Sequence, residues 1–141
     1  MFTVIVINKI VNFLLLLSFA SVVANGKIFA IGGGIGFGQF GETGRTCEVL
    51  DVEKSPNQWK NISSMAHARH RCAAAVFNNH IIVSGGNLNG SSTEIYDIEN
   101  DTWTCAASMK IPRYGHQLVV IPRNKIEESE ADNVLKKYSN F

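Results

Sequence analysis

The sequence predicts an all-β chain made of repeated units, each of four short antiparallel strands, and three observations predict it. Residues 17–33, LSFASVVANGKIFAIGG, align without a gap on residues 70–86, HRCAAAVFNNHIIVSGG, at an offset of 53. Trp59, Met65 and Arg69 match Trp103, Met109 and Arg113 at an offset of 44. Between these blocks, Glu48-Val49-Leu50-Asp51 matches Glu94-Ile95-Tyr96-Asp97. Self-similarity at a period of this length marks an architecture of stacked units, each unable to bury its apolar face alone.

The elements follow in order along the chain. Residues 1–17 form an apolar leader, and Lys9 is the only charged side chain before Asn25. The run Phe13 to Leu17, followed by Val22-Val23-Ala24, suits a secretory signal or an anchor through residues 1–24. The alternative is a strand from residue 18 onward. Cleavage after Ala24 would remove residues 18–23, which match residues 71–76, so the strand is the expected reading. In each unit two apolar runs flank a tight turn, Asn25-Gly26 or Asn78-Asn79. Asparagine and glycine tolerate the positive φ of a two-residue hairpin. The second run closes on Gly32-Gly33 or Gly85-Gly86, where the missing side chains permit unusual dihedrals or a close backbone approach. The loop that follows is long and glycine-rich in the first unit (34–44) and short in the second (87–92). A second strand pair carries consecutive apolar residues, Val49-Leu50 and Ile95-Tyr96, so both sheet faces must be covered. Trp59 and Trp103 are the side chains available to fill the space between sheets. Residues 115–121 read as a third copy of the first strand, and the repeats thus span 18–126. The tail, 127–141, places Ala131, Val134, Leu135 and Tyr138 on one face of a short helix, with an unfolded tail as the alternative.

Composition narrows the function classes. The 141 residues carry 13 Lys plus Arg against 12 Asp plus Glu, and this neutral balance argues against nucleic-acid binding, which needs a basic face. Cys47, Cys72 and Cys105 are odd in number and widely spaced, which implies a reducing compartment and not a disulfide framework. Sequons at Asn61, Asn89 and Asn100 add little in an asparagine-rich chain. The segment Gly36-Phe37-Gly38-Gln39-Phe40-Gly41 is a literal G-x-G-x-x-G. Neither a helix for a pyrophosphate nor the other kinase motifs follow it, so it reads as a loop. His67, His70 and Cys72 lie close in sequence, but the paired ligand spacing of a structural zinc site is missing. No cofactor is expected.

Taken together, Gly85-Gly86, Tyr96, Trp103, Met109 and Arg113 resemble the kelch repeat, and Gly32-Gly33, Trp59, Met65 and Arg69 fit the same pattern with Leu50 in place of Tyr. The resemblance implies blades of a β-propeller. A propeller closes with typically four to eight blades. Here there are two and a fraction, so the chain reads as an incomplete propeller: a fragment, or a short protein that assembles with other blades. Two blades leave apolar faces uncovered, and a folded monomer is not expected. The resemblance also implies a protein-binding module and not an enzyme. Cytosolic kelch propellers often serve as substrate adaptors of cullin-based ubiquitin ligases, which here would need a BTB domain elsewhere. Actin binding is the alternative, and a secreted kelch protein or kelch-fold enzyme is a further one; against a copper oxidase of this fold, Tyr96 holds the structural repeat position with no ligand set beside it. The expected location is cytoplasmic or cytoskeletal, with secretion or membrane anchoring as the alternative.

In kelch propellers partners are held by the loops that enter the innermost strand and the loops after Gly-Gly. These correspond to residues 65–71, 109–115, 34–44 and 87–92. Arg69 repeats as Arg113, which favours a structural role. Arg71 does not repeat, because Gly115 stands at its counterpart, and a break in the repeat at a loop mouth points to a ligand. Arg71 with His70 is therefore the candidate contact for an acidic or phosphorylated protein segment. Asn89, Ser91 and Ser92 would add polar contacts, and Phe37 or Phe40 an apolar anchor.

Overall fold

The computed structural model describes residues 10–11, 14–35, 42–54, 58–86 and 90–121. Two four-stranded antiparallel sheets dominate it. In the first, β3 (Ala20–Ala24), β4 (Lys27–Ile31), β7 (Cys47–Asp51) and β8 (Trp59–Ile62) lie side by side in that order. In the second, β9 (Ala73–Phe77), β10 (His80–Ser84), β11 (Thr93–Asp97) and β12 (Thr102–Ala106) repeat the arrangement. A smaller sheet joins β1 (Ile10–Val11), β2 (Leu14–Leu17), β5 (Gly34–Ile35) and β6 (Glu42–Thr43).

The turns obey the chemistry expected of them. Asn25 and Gly26 sit at φ 51° and 68°, and Asn78 at φ 53°. Their hairpins keep matching registers, Ala24↔Lys27 in one and Phe77↔His80 in the other. Gly32 (φ 64°) and Gly85 (φ 70°) end their strands for two reasons. The backbone there is left-handed, and a Cβ on Gly32 would lie 2.6 Å from the Arg69 carbonyl oxygen. A Cβ on Gly85 would meet the Arg113 carbonyl oxygen in the same way.

The core lies between the two large sheets. Phe29, Ile31 and Cys47 project from one, and Ile81, Val83 and Tyr96 from the other; all are buried. The Phe29 and Tyr96 rings meet edge to face at 6.2 Å between centroids. Trp103, half-buried, packs on Tyr96 at 4.9 Å and donates its indole N–H to the Ser63 carbonyl at 2.7 Å. That bond ties the second sheet to the segment leaving the first. The closest strands of the two sheets are β3 and β9, which makes them the innermost strands and β8 and β12 the outermost.

Three segments differ from the sequence reading. Residues 115–121, expected as a third innermost strand, form no strand, and Val119 is 77% exposed. A strand needs a ladder partner, and among the described residues none stands beside this segment. The leader contributes β1 and β2, and the glycine-rich loop contributes β5 and β6, so part of each is in a sheet. The tail beyond residue 121, with its expected helix, lies outside the described residues.

Candidate functional site

The loops that enter the innermost strands gather at one end of the blades, with the loops that follow Gly-Gly. Their backbone bonding repeats. Gly33 N–H donates to the Arg69 carbonyl at 2.8 Å, and Gly86 N–H to the Arg113 carbonyl at 3.0 Å. Arg69 N–H donates to the Gly44 carbonyl at 3.0 Å, and Arg113 N–H to the Gly90 carbonyl at 2.6 Å. Met65 and Met109 donate in turn to the Arg45 and Ser91 carbonyls. The repeated Gly-Gly and Arg are thus the two halves of one loop lock.

The side chain of Arg69 is wholly buried and crosses the junction. Its Nη1 donates to the Gly85 and Ser92 carbonyls at 2.6 and 3.1 Å, and its Nη2 to the Ser92 hydroxyl at 2.8 Å. Nε and Nη2 both reach Oε1 of Glu94, at 3.1 and 2.9 Å. Glu94 is also wholly buried. It accepts the Ala66 N–H at 2.7 Å and the His67 N–H at 3.3 Å. A buried ion pair of this kind holds only with further hydrogen bonds around it, and here two carbonyls and a hydroxyl on Arg69 and two backbone N–H groups on Glu94 supply them. Glu94 is the residue sequence reasoning missed as a partner of Arg69. Its signal was present: a carboxylate repeated as Glu48 directly before the consecutive apolar pair of each strand.

Arg71 begins the innermost strand segment and is exposed. Its backbone is left-handed, at φ 60°. The equivalent positions in the repeat, Ser18 and Gly115, are left-handed as well, at φ 56° and 63°. These residues form a backbone chain from unit to unit: Arg71 N–H donates to the Ser18 carbonyl at 3.0 Å, and Gly115 N–H to the Arg71 carbonyl at 2.8 Å. The position therefore suits glycine, and an arginine there is held at a conformational cost. The preceding His70 lies against the Gly-Gly turn of the second unit, since a Cβ on Gly86 would stand 3.1 Å from the His70 carbonyl oxygen. Burial, and then the nearby Arg71 charge, hold the His70 imidazole below its usual pKa. His70 is accordingly neutral at pH 7, and Arg71 carries the charge of the pair.

The remaining predicted contacts separate. Ser92 turns its hydroxyl to Arg69, inside the lock. Ser91 receives the Met109 N–H on its carbonyl and is half-buried at the loop. Phe37, Phe40 and Asn89 lie outside the described residues. Among the thiols, burial raises both Cys47, to about 12, and Cys72, and makes them poor nucleophiles.

Stacked four-stranded blades joined by a repeated Gly-Gly and Arg lock define a blade-repeat protein of propeller type. The chain belongs to the kelch-repeat family: the family model described as the kelch motif matches residues 16–66 and 68–110. An F-box/kelch-repeat protein of Arabidopsis thaliana is 34% identical over 101 residues, which cover 69% of this chain and 26% of that protein. Human Kelch-like protein 15 is 29% identical over 107 residues, covering 74% of this chain and 17% of its own length. The chain thus spans about a quarter or less of these relatives. Among solved structures, a fungal alcohol oxidase in complex with copper superposes with a TM-score of 0.61 at 21% identity, over 70% of this chain and 23% of its own. That likeness is one of fold.

Proposed function

We propose that the chain is a protein-recognition module that binds an acidic or phosphorylated segment at the loop end of its blades, as the substrate-recognition part of a ubiquitin-ligase adaptor. The observation that carries the binding site is Arg71: an exposed guanidinium held at φ 60° in a ring of positions that suits glycine. Strained residues persist where surrounding structure fixes them, and they concentrate at ligand sites. A guanidinium at a loop mouth takes a carboxylate or phosphate through two parallel hydrogen bonds. The relatives named for an F-box and as Kelch-like support the adaptor reading. The unpaired cysteines, two of them buried, support a reducing, cytoplasmic setting.

The test is an array of acidic and phosphoserine peptides probed with the wild type and with Arg71→Ala, with Arg69 left intact. Binding to acidic peptides that falls at least about tenfold in the variant supports the site. Equal binding by both proteins removes Arg71 from the site. Co-purification of a cullin with the protein from cells tests the adaptor reading separately.

A further inference from the structure

His67, Glu94 and Cys105 meet at the outer edge of the junction between the two blades. Each offers one donor atom, and the three atoms lie within 4.8 Å of one another. His67 Nδ1 stands 3.3 Å from Glu94 Oε1. Cys105 faces Glu94 directly across the ladder from β12 to β11, so their side chains share a sheet face. The approach is open: Cys105 is exposed and the His67 side chain is 39% exposed, whereas Glu94 is buried and fixed by Arg69.

The repeat sharpens this observation. Glu94 recurs as Glu48, so the carboxylate belongs to the blade pattern. His67 and Cys105 do not recur: at an offset of 44 their counterparts are Ile111 and Asn61. Two independent departures from the repeat, both to metal-ligating types, therefore converge on one prepositioned carboxylate. Neither side chain is needed to fill the core, since both reach solvent, and His67 already turns its ring nitrogen to Glu94.

We propose that His67, Glu94 and Cys105 form a site for a divalent metal of zinc type, with water completing the coordination. Imidazole, thiolate and carboxylate are the ligand types zinc takes, and three protein ligands leave a position open. Glu94 already holds its place through Arg69 and the Ala66 N–H, so the site is partly organised before metal arrives. Cys105, on an exposed strand edge, supplies the adjustment needed to close the ligand distances. Binding converts the Cys105 thiol to a thiolate, and that proton is released to solvent. Arg69 and the metal face the same carboxylate, and the thiolate offsets part of their mutual repulsion.

The experiment is a zinc titration of the full chain against a chromophoric chelator, with cobalt absorption as a second readout. The expected result is one zinc per chain, with a thiolate-to-cobalt charge-transfer band. In Cys105→Ser that band disappears and zinc affinity falls at least about tenfold; His67→Ala weakens affinity by a similar factor. Glu94 is left unchanged because it anchors Arg69. Circular dichroism of both variants in the presence of chelator matches the wild type, since neither side chain is in the core. Zinc binding that is unchanged in both variants, or no binding below about 100 µM, overturns the proposal.

Discussion

The junction between the two blades and the far face of the second blade carry the same repeat residues, yet among the described residues only the first is closed. At the junction Arg69 is buried and paired with Glu94. At the far face its counterpart Arg113 is exposed, although its backbone makes the same bonds to Gly86 and Gly90. Met65 is 1% exposed, while Met109 is only half-buried. Phe29 is buried against Tyr96, while Ile82 at the equivalent position lines an open groove of about 420 Å³ with Phe77, Ile95 and Thr104. The difference separates two layers of the design. Loop conformation is fixed within a unit by glycine dihedrals and local backbone bonds. Side-chain burial is fixed only when a neighbouring blade supplies the carboxylate and the aromatic wall.

The largest effect that tests this comparison is expected at the buried ion pair. Arg69→Ala or Glu94→Ala leaves an uncompensated buried charge and should destabilise the protein by about 3–5 kcal/mol. Arg113→Ala should change stability by less than about 0.5 kcal/mol, because its guanidinium is already in water. Urea midpoints of the three variants measure both. Equal costs for Arg69 and Arg113 would show that the two faces are alike in solution.

A smaller effect is expected with acid. Asp101 joins the blades from the turn before β12: its Oδ1 accepts the Ser63 N–H and the Tyr96 hydroxyl, both at 2.8 Å. The Ser63 bond holds its carboxyl below the ordinary 3.8 against the opposing effect of burial, and the Tyr96 bond adds to the lowering. A depressed folded pKa contributes stability that is fully present above the unfolded value and is lost as pH falls through the folded value. Stability should therefore decline below about pH 4, and Asp101→Asn should make that decline shallower while lowering stability at neutral pH. Asp51 and Asp97 are also depressed, by Lys54 and Asn100 respectively, so part of the acid response remains in the variant. An acid limb identical in wild type and Asp101→Asn removes the carboxylate from the junction.

Much of the fold was legible because the repeat is written in residues with few structural options. The Asn-Gly and Asn-Asn turns and the Gly-Gly strand ends each favour one local conformation, and they agree. The partnership of Arg69 with Glu94 was not legible as a contact. The two stand 25 residues apart in sequence, and their meeting depends on how one blade stacks on the next. The strands in residues 34–43 were hidden for the opposite reason: glycine predicts no particular state, and pairing with the leader decides it. Residues 115–121 form no strand because their apolar run has no ladder partner among the described residues. At the candidate site, the break in the repeat at Arg71 was visible, but its meaning was incomplete. Sequence showed an arginine where the next copy of the unit has a glycine. Only the dihedrals show that Ser18, Arg71 and Gly115 share one left-handed backbone position.

That shared position yields the smallest expected effect. Glycine adopts φ near 60° without the Cβ penalty that Arg71 carries, but it also has more freedom to lose on folding. The first term favours Arg71→Gly by roughly 1–2 kcal/mol and the second opposes it by up to about 1 kcal/mol, so a net gain of up to about 2 kcal/mol is expected. The backbone bonds to Ser18 and Gly115 need no side chain and should survive. Ser18→Gly, at φ 56°, should gain a similar amount and leave peptide binding unchanged, because it removes no charge. Arg71→Gly should instead lose binding to acidic peptides while the protein becomes more stable. Thermal melts and the peptide array, run on the same two variants, separate strain from recognition. A drop in stability for Arg71→Gly would mean that the guanidinium supports the fold, and the arginine would then belong with Arg69 among the structural residues of the repeat.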